Sequence, residues 1–120
     1  MHNKALTLNE INKKIDEYES IKILISKSVQ EPAENIDSKI LKRYIEIQSV
    51  TDTAEYLNSN GYRIKIEGRK GERKYISNDI KDIILNAPKD SKLAVIAKAL
   101  FNYNKGKVSM NQIVNLCKNS

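Results

Sequence analysis

The stretch from Val50 to Asn86 limits the possible folds most, because two helix-like segments there enclose a short, basic, alternating segment. Val50, Ala54 and Leu57 recur at i, i+4 and i+7, which is one face of a helix. Ser49 and Asp52 make a serine-x-x-acid capping pattern at its start. Gly61 ends it, since glycine enters the left-handed cap conformation without a steric penalty. Tyr62, Ile64 and Ile66 then alternate with Arg63, Lys65 and Glu67, the period of a half-buried strand. Gly68 to Gly71 supplies a turn, and Glu72 to Ile76 a return strand. Ser77 is placed to cap a second helix that carries Ile80, Ile83 and Ile84 on one face. The unit predicted is a helix-turn-helix relative with a basic hairpin between its helices.

The flanks supply more helices. Thr7 with Glu10 forms a capping box for a helix running to about Gln30, where Glu31-Pro32 breaks it. Leu8, Ile11, Ile15 and Tyr18 follow a 3–4 spacing on that helix, continued with a slip by Ile21, Ile25 and Val29. Two such heptads suit either a helix packed on its own core or a seam between two copies of the chain. A second helix, from about Ile36 to Gln48, carries Ile40, Leu41, Tyr44, Ile45 and Ile47, a face broad enough to be sandwiched between neighbours. After Asn86 a turn leads to Asp90 or Ser91 as the next cap, and then to the stripe Leu93, Ile96, Ala97, Leu100 and Phe101. Ser109 and Gln112 form a capping box for a last short helix with Ile113, Val114, Leu116 and Cys117. The expectation is a single, mostly α domain over residues 1–120. It is a helix-turn-helix or winged-helix-like bundle of five to six helices, with one β-hairpin between the two motif helices. Its parts are the N-terminal helix at 7–30, the hairpin-bearing unit at 36–86 and a C-terminal helical pair at 90–118, after a frayed start at Met1 to Ala5.

Charge is unevenly placed within the net +6. Residues 1–61 hold 8 Lys/Arg against 10 Asp/Glu, residues 62–75 hold 6 against 2, and residues 76–120 hold 7 against 3. Fourteen hairpin residues therefore carry as much excess positive charge as the whole C-terminal third. Such a concentration beside a helix-turn-helix-like unit is the footprint of a phosphate-binding surface, although a solvated hairpin would show the same composition. Arg63 and Lys65 on the first strand, and Arg69, Lys70, Arg73 and Lys74 near the tip, are the candidate phosphate or minor-groove contacts. Ser77, Asn78 and Lys81 open the second helix, where an N-terminus aims side chains at base edges and favours phosphate. Asn78 is the best candidate for reading adenine. Asp79 and Asp82 sit awkwardly close to a phosphate backbone, so either they turn inward to basic residues or this helix sits less deeply in the groove.

The same stretch resembles the DNA-binding recombinase domain of large serine recombinases, over about residues 50–88. That pattern is approximately A-x-x-L-N-x-x-G, a variable basic loop, then I-x-x-I-L-x-N-P. Ala54, Leu57, Asn58 and Gly61 are followed here by Ile80, Ile83, Ile84 and Asn86 in matching order, with Pro88 one residue late. Nothing upstream looks like the recombinase catalytic domain, so the resemblance does not carry strand exchange. It implies a DNA-binding helical module of a mobile element, phage or plasmid.

Other chemistries find little support. The one histidine is His2 at the terminus, which leaves no Ser–His–Asp or Cys–His arrangement, and no Cys/His set has zinc spacing. Gly68-x-x-Gly71 lacks the ending and the context of a phosphate-binding loop. Asp79 and Asp82 are two carboxylates without a third ligand in view, and Cys117 reads as a packing residue on an apolar face. A single cysteine rules out an internal disulfide and fits a reducing compartment. No apolar run approaches a membrane span, and the first residues lack a signal peptide's apolar core. The reading is a cytoplasmic, non-enzymatic, cofactor-free, metal-free protein that binds double-stranded DNA as a homodimer. It would be either sequence-specific or architectural, acting as a regulator or DNA-organising adaptor. Two alternatives stay open. One is a helical interaction module or inhibitor whose basic hairpin meets an acidic protein. The other is RNA binding, disfavoured because Tyr62, Tyr75 and Tyr103 are the few aromatic candidates for a stacking platform.

Overall fold

A computed structural model describes residues 6–68 and 70–118. Its elements run α1 (Leu8–Gln30), α2 (Ile36–Ile47), α3 (Val50–Ser59), β1 (Ile64–Lys65), β2 (Glu72–Arg73), α4 (Ser77–Asn86), α5 (Lys92–Asn104) and α6 (Met110–Lys118). The chain is thus a bundle of helices with one small antiparallel hairpin between α3 and α4. The expected fraying of Met1 to Ala5 lies outside the described residues, as do His2 and Arg69.

Helix starts follow the local chemistry. Thr7 Oγ1 accepts from the Glu10 amide at 3.2 Å, Asn35 Oδ1 from Ser38 at 2.8 Å, Ser49 Oγ from Asp52 at 3.1 Å and Ser91 Oγ from Ala94 at 3.2 Å. At α6 the Gln112 side chain reaches back to the Ser109 amide at 2.9 Å. The exception is α4. Its cap residue is Ile76 and not Ser77, because the Asp79 carboxylate takes the Ile76 amide at 2.8 Å and leaves Ser77 as the first helical residue. At the end of α3, Gly61 adopts φ 85°, with its amide bonded to Asn58 O at 3.1 Å and the Tyr62 amide to Leu57 O at 3.0 Å. These two bonds are the glycine-dependent helix stop the sequence called for. The α2–α3 corner instead turns at Gln48, whose φ of 56° is left-handed. Its side chain compensates locally, donating to Ile45 O and accepting from Asn104.

One apolar cluster joins all six helices. α2 lies at its centre, with Ile40, Leu41, Tyr44 and Ile45 buried against α1, α3, α4 and α5. Tyr44 meets Phe101 at a tilted 6.1 Å, and its hydroxyl is bonded by Asn104. Ala54, Leu57, Ile80 and Ile84 close the α2–α3–α4 unit. Burial pushes the Tyr44 phenol above its ordinary pKa.

α1 has two stripes. Leu24 and Ser28 are buried, while Ile21, Ile25 and Val29 pack on the core. Leu8, Ile11, Ile15 and Tyr18 are 72, 41, 50 and 56 % exposed, so the packed-core alternative for them does not hold within one copy of the chain. Beside this outer half runs α6, across a groove between Asn12, Asp16 and Ser20 on one wall and Asn111, Val114 and Asn115 on the other. The result is a molecule of 61 × 32 × 24 Å with a radius of gyration of 17.0 Å, against about 14 Å for a compact chain of this length.

Candidate nucleic-acid interface

Asn58 ties the root of the hairpin to α3. The Asn58 side chain donates to Tyr75 O at 3.0 Å and accepts from the Tyr75 amide at 2.8 Å. The Asn58 carbonyl accepts from Gly61 and, at 3.0 Å, from Arg63 Nη1, which also reaches Tyr62 O at 2.7 Å. Both strands are therefore tied to the end of α3. The strands themselves are shorter than the alternation suggested, two residues each, with Ile64 opposite Arg73 and Lys65 opposite Glu72. Pairing stops because the next outgoing backbone groups, those of Tyr75, are spent on Asn58. Tyr75 is buried, which removes it from the exposed aromatics and raises its phenol pKa, with Asp37 a further cause.

The six hairpin cations divide by role. Arg63 is half-buried at the root. Arg73 forms a two-pronged pair with Asp79, Nη1 to Oδ2 at 2.8 Å and Nη2 to Oδ1 at 2.7 Å. Asp79 thus turns inward to a basic residue; the guanidinium holds its carboxyl below the usual range, and Asp79 in turn raises the Arg73 pKa. Lys65, Lys70 and Lys74 are exposed and form no ion pair among the described residues. Arg69 lies outside the described residues.

At the start of α4, Ser77 Oγ and Thr51 Oγ1 share a hydrogen bond at 2.9 Å, which joins the first turns of α3 and α4. Asn78 and Lys81 are exposed. Asp82 points elsewhere. It lines a groove with Asp37 and Asp90, beside Asn35, Asn86 and Ser91.

A second groove has the opposite character. Lys39, Lys42 and Arg43 from α2 face Tyr56 and Leu57 from α3 and Tyr62 from the hairpin root, around a cavity of about 520 Å³. The Arg43 guanidinium lies 3.7 Å over the Tyr56 ring and bonds Glu46 Oε1 at 2.8 Å. Lys39 Nζ sits 5.7 Å over the Tyr62 ring and 3.4 Å from its hydroxyl. Sequence reasoning missed this cluster. Its signal was the i, i+3, i+4 spacing of three cations on one helix, concealed by the net negative charge of residues 1–61.

Among the described residues, no group of three or more His, Cys, Asp or Glu is placed to hold a metal ion, and no helix is long and apolar enough to cross a membrane. Cys117 is half-buried rather than fully enclosed. Its Sγ lies near Ser20 O and Ile113 O, and burial pushes its thiol pKa up. Compared with known proteins, the chain matches no protein-family model, no curated protein and no solved structure.

Proposed function

We propose that this chain is a cytoplasmic, non-catalytic protein that binds double-stranded DNA through its hairpin. It acts as a homodimer and serves a mobile element as a regulator or DNA-organising adaptor. The observation that carries the reading is the division of the hairpin cations. Two arginines are consumed in fixing the loop to α3 and α4, while Lys65, Lys70 and Lys74 are left exposed on the loop so fixed. A rooted loop presenting unpaired lysines suits phosphate contacts, which position a protein on duplex without reading sequence. Asn78 and Lys81 follow directly at the start of α4, where base edges could be read.

The second copy is assigned to the outer stripe of α1. Leu8, Ile11, Ile15 and Tyr18 occupy a and d positions of two heptads, and Lys22 ends the run. Side by side in parallel, Lys14 meets Glu19 of the other copy at the g and e positions. An antiparallel pairing centred on the stripe would bring the two Lys14 side chains together. The parallel pair also places both hairpin-bearing units at the same end, as two half-sites require.

The test is Lys65→Ala, Lys70→Ala and Lys74→Ala combined, titrated against random duplex by fluorescence anisotropy over a salt series. The log–log salt slope should fall by about two to three units, with helicity unchanged. Unaltered affinity and slope at near-physiological salt would overturn the reading. Binding of polyglutamate in preference to duplex would replace it with the acidic-protein alternative.

A further inference from the structure

We infer that the groove between α2, α3 and Tyr62 is a second seat for the phosphate backbone of the same duplex, continuous with the hairpin. This inference rests on the DNA-binding reading and extends its footprint to residues of the acidic half of the chain.

Three observations converge on it. The groove gathers Lys39, Lys42 and Arg43 on one wall, and among its described lining residues Glu46 is the sole carboxylate, already engaged by Arg43 at 2.8 Å. Its cations are partly ordered before any ligand arrives. Arg43 is stacked on Tyr56 and bonded to Glu46, so it has little side-chain freedom left to lose on binding, and Lys39 stands 3.4 Å from the Tyr62 hydroxyl. Tyr62 is also the residue from which the first strand of the hairpin departs, three residues before Lys65. Tyr62 thus links the groove on α2 to the root of the hairpin that carries the exposed lysines.

The ring geometry chooses the form of nucleic acid. Single strands are held by bases stacked on aromatic faces. Here Arg43 already covers a face of the Tyr56 ring, while Lys39 stands at the hydroxyl edge of Tyr62, 3.4 Å from its oxygen and 5.7 Å from the ring centre. What the groove presents is charge and hydroxyls, which suits duplex phosphates. Another groove beside α2, lined by Asp37, Asp82 and Asp90, repels a polyanion and turns that side of the unit away from DNA.

The test compares two variants of the full chain on one labelled random duplex and its single strand, between about 50 and 200 mM salt. Lys39→Ala with Lys42→Ala should lower the duplex salt slope by about two units. Lys39→Gln with Lys42→Gln should do the same, and serves as the second variant if the first melts early by circular dichroism. If the hairpin triple variant weakens binding while both groove variants keep the wild-type slope, the groove is not a seat and the hairpin reading stands. If neither the hairpin nor the groove variants change binding, both fall. A larger loss on the single strand than on the duplex would overturn the duplex assignment.

Discussion

Replacing Asn58 with alanine tests whether the hairpin is a rooted element. The side chain satisfies both backbone groups of Tyr75, at 3.0 and 2.8 Å, in a half-buried setting. No other described side chain bonds either group, so truncation strands a donor and an acceptor together. A buried group left unmade costs about 1–3 kcal/mol, and partial access of water to this site brings the pair to about 2–3 kcal/mol in total. For a chain of this size that is a fall in thermal midpoint of roughly 6–15 °C. Asn58→Asp is the sharper companion. It keeps an acceptor for the Tyr75 amide but sets a carboxylate against the Tyr75 carbonyl, so it should be no better than alanine. Asn58→Ser can address only one group at a time and should lie between the wild type and alanine. Differential scanning calorimetry reads the midpoints, and amide exchange at Tyr75 reports whether the lost protection is local. A midpoint within one or two degrees of wild type, with Tyr75 still protected, would refute the rooting argument.

Three further outcomes are expected. Asp79 is held below the ordinary carboxyl range, so its pair with Arg73 contributes stability above the unfolded pKa, near about 4, and that contribution drains as pH falls toward the folded value. Thermal melts should show Asp79→Asn a few degrees below wild type at neutral pH, with the gap closing in acid; a gap that widens in acid would contradict the sign. Light scattering at micromolar concentration should give a mass near twice 13.7 kDa, and Ile11→Lys with Ile15→Lys should return a monomer of undiminished helicity, since both side chains are exposed. In a competition titration against single-base variants of a preferred site, Asn78→Ala should lose roughly 1–3 kcal/mol of discrimination at one position, whereas Lys81→Ala should weaken all sequences alike. An unchanged preference profile for Asn78→Ala would remove α4 from base reading.

What could be read from the chain was what a few neighbouring residues determine. Thr7, Ser49 and Ser91 cap helices because their partners lie three residues on, and Gly61 stops α3 through bonds that span three and five. Ser77 failed as a cap because Asp79, three residues beyond Ile76, takes the Ile76 amide. The carboxylate that displaced it is steadied by Arg73, and that pairing exists only once the hairpin has folded back. The strands were overestimated likewise, since alternation cannot reveal that Asn58 claims Tyr75 from seventeen residues away. Periodicity marked the Leu8–Tyr18 stripe as apolar but could not say what covers it, and in one copy nothing among the described residues does. Lys39, Lys42 and Arg43 escaped notice because charge summed over a long segment erases a face that only three residues define.

The protruding half of α1 has a practical consequence. A molecule 61 Å long and only 32 by 24 Å across drags more solvent than a sphere of its mass, and rotates more slowly about its short axes than about its long one. On a sizing column calibrated with round proteins, the monomer would elute early and imitate a larger species. Mass must therefore come from scattered light or sedimentation equilibrium. The same anisotropy is useful in solution NMR, where amides along α1 should relax differently from those whose N–H bonds lie across the long axis. A parallel pair joined along α1 would then change tumbling about the two axes unequally, a signature distinct from end-to-end association.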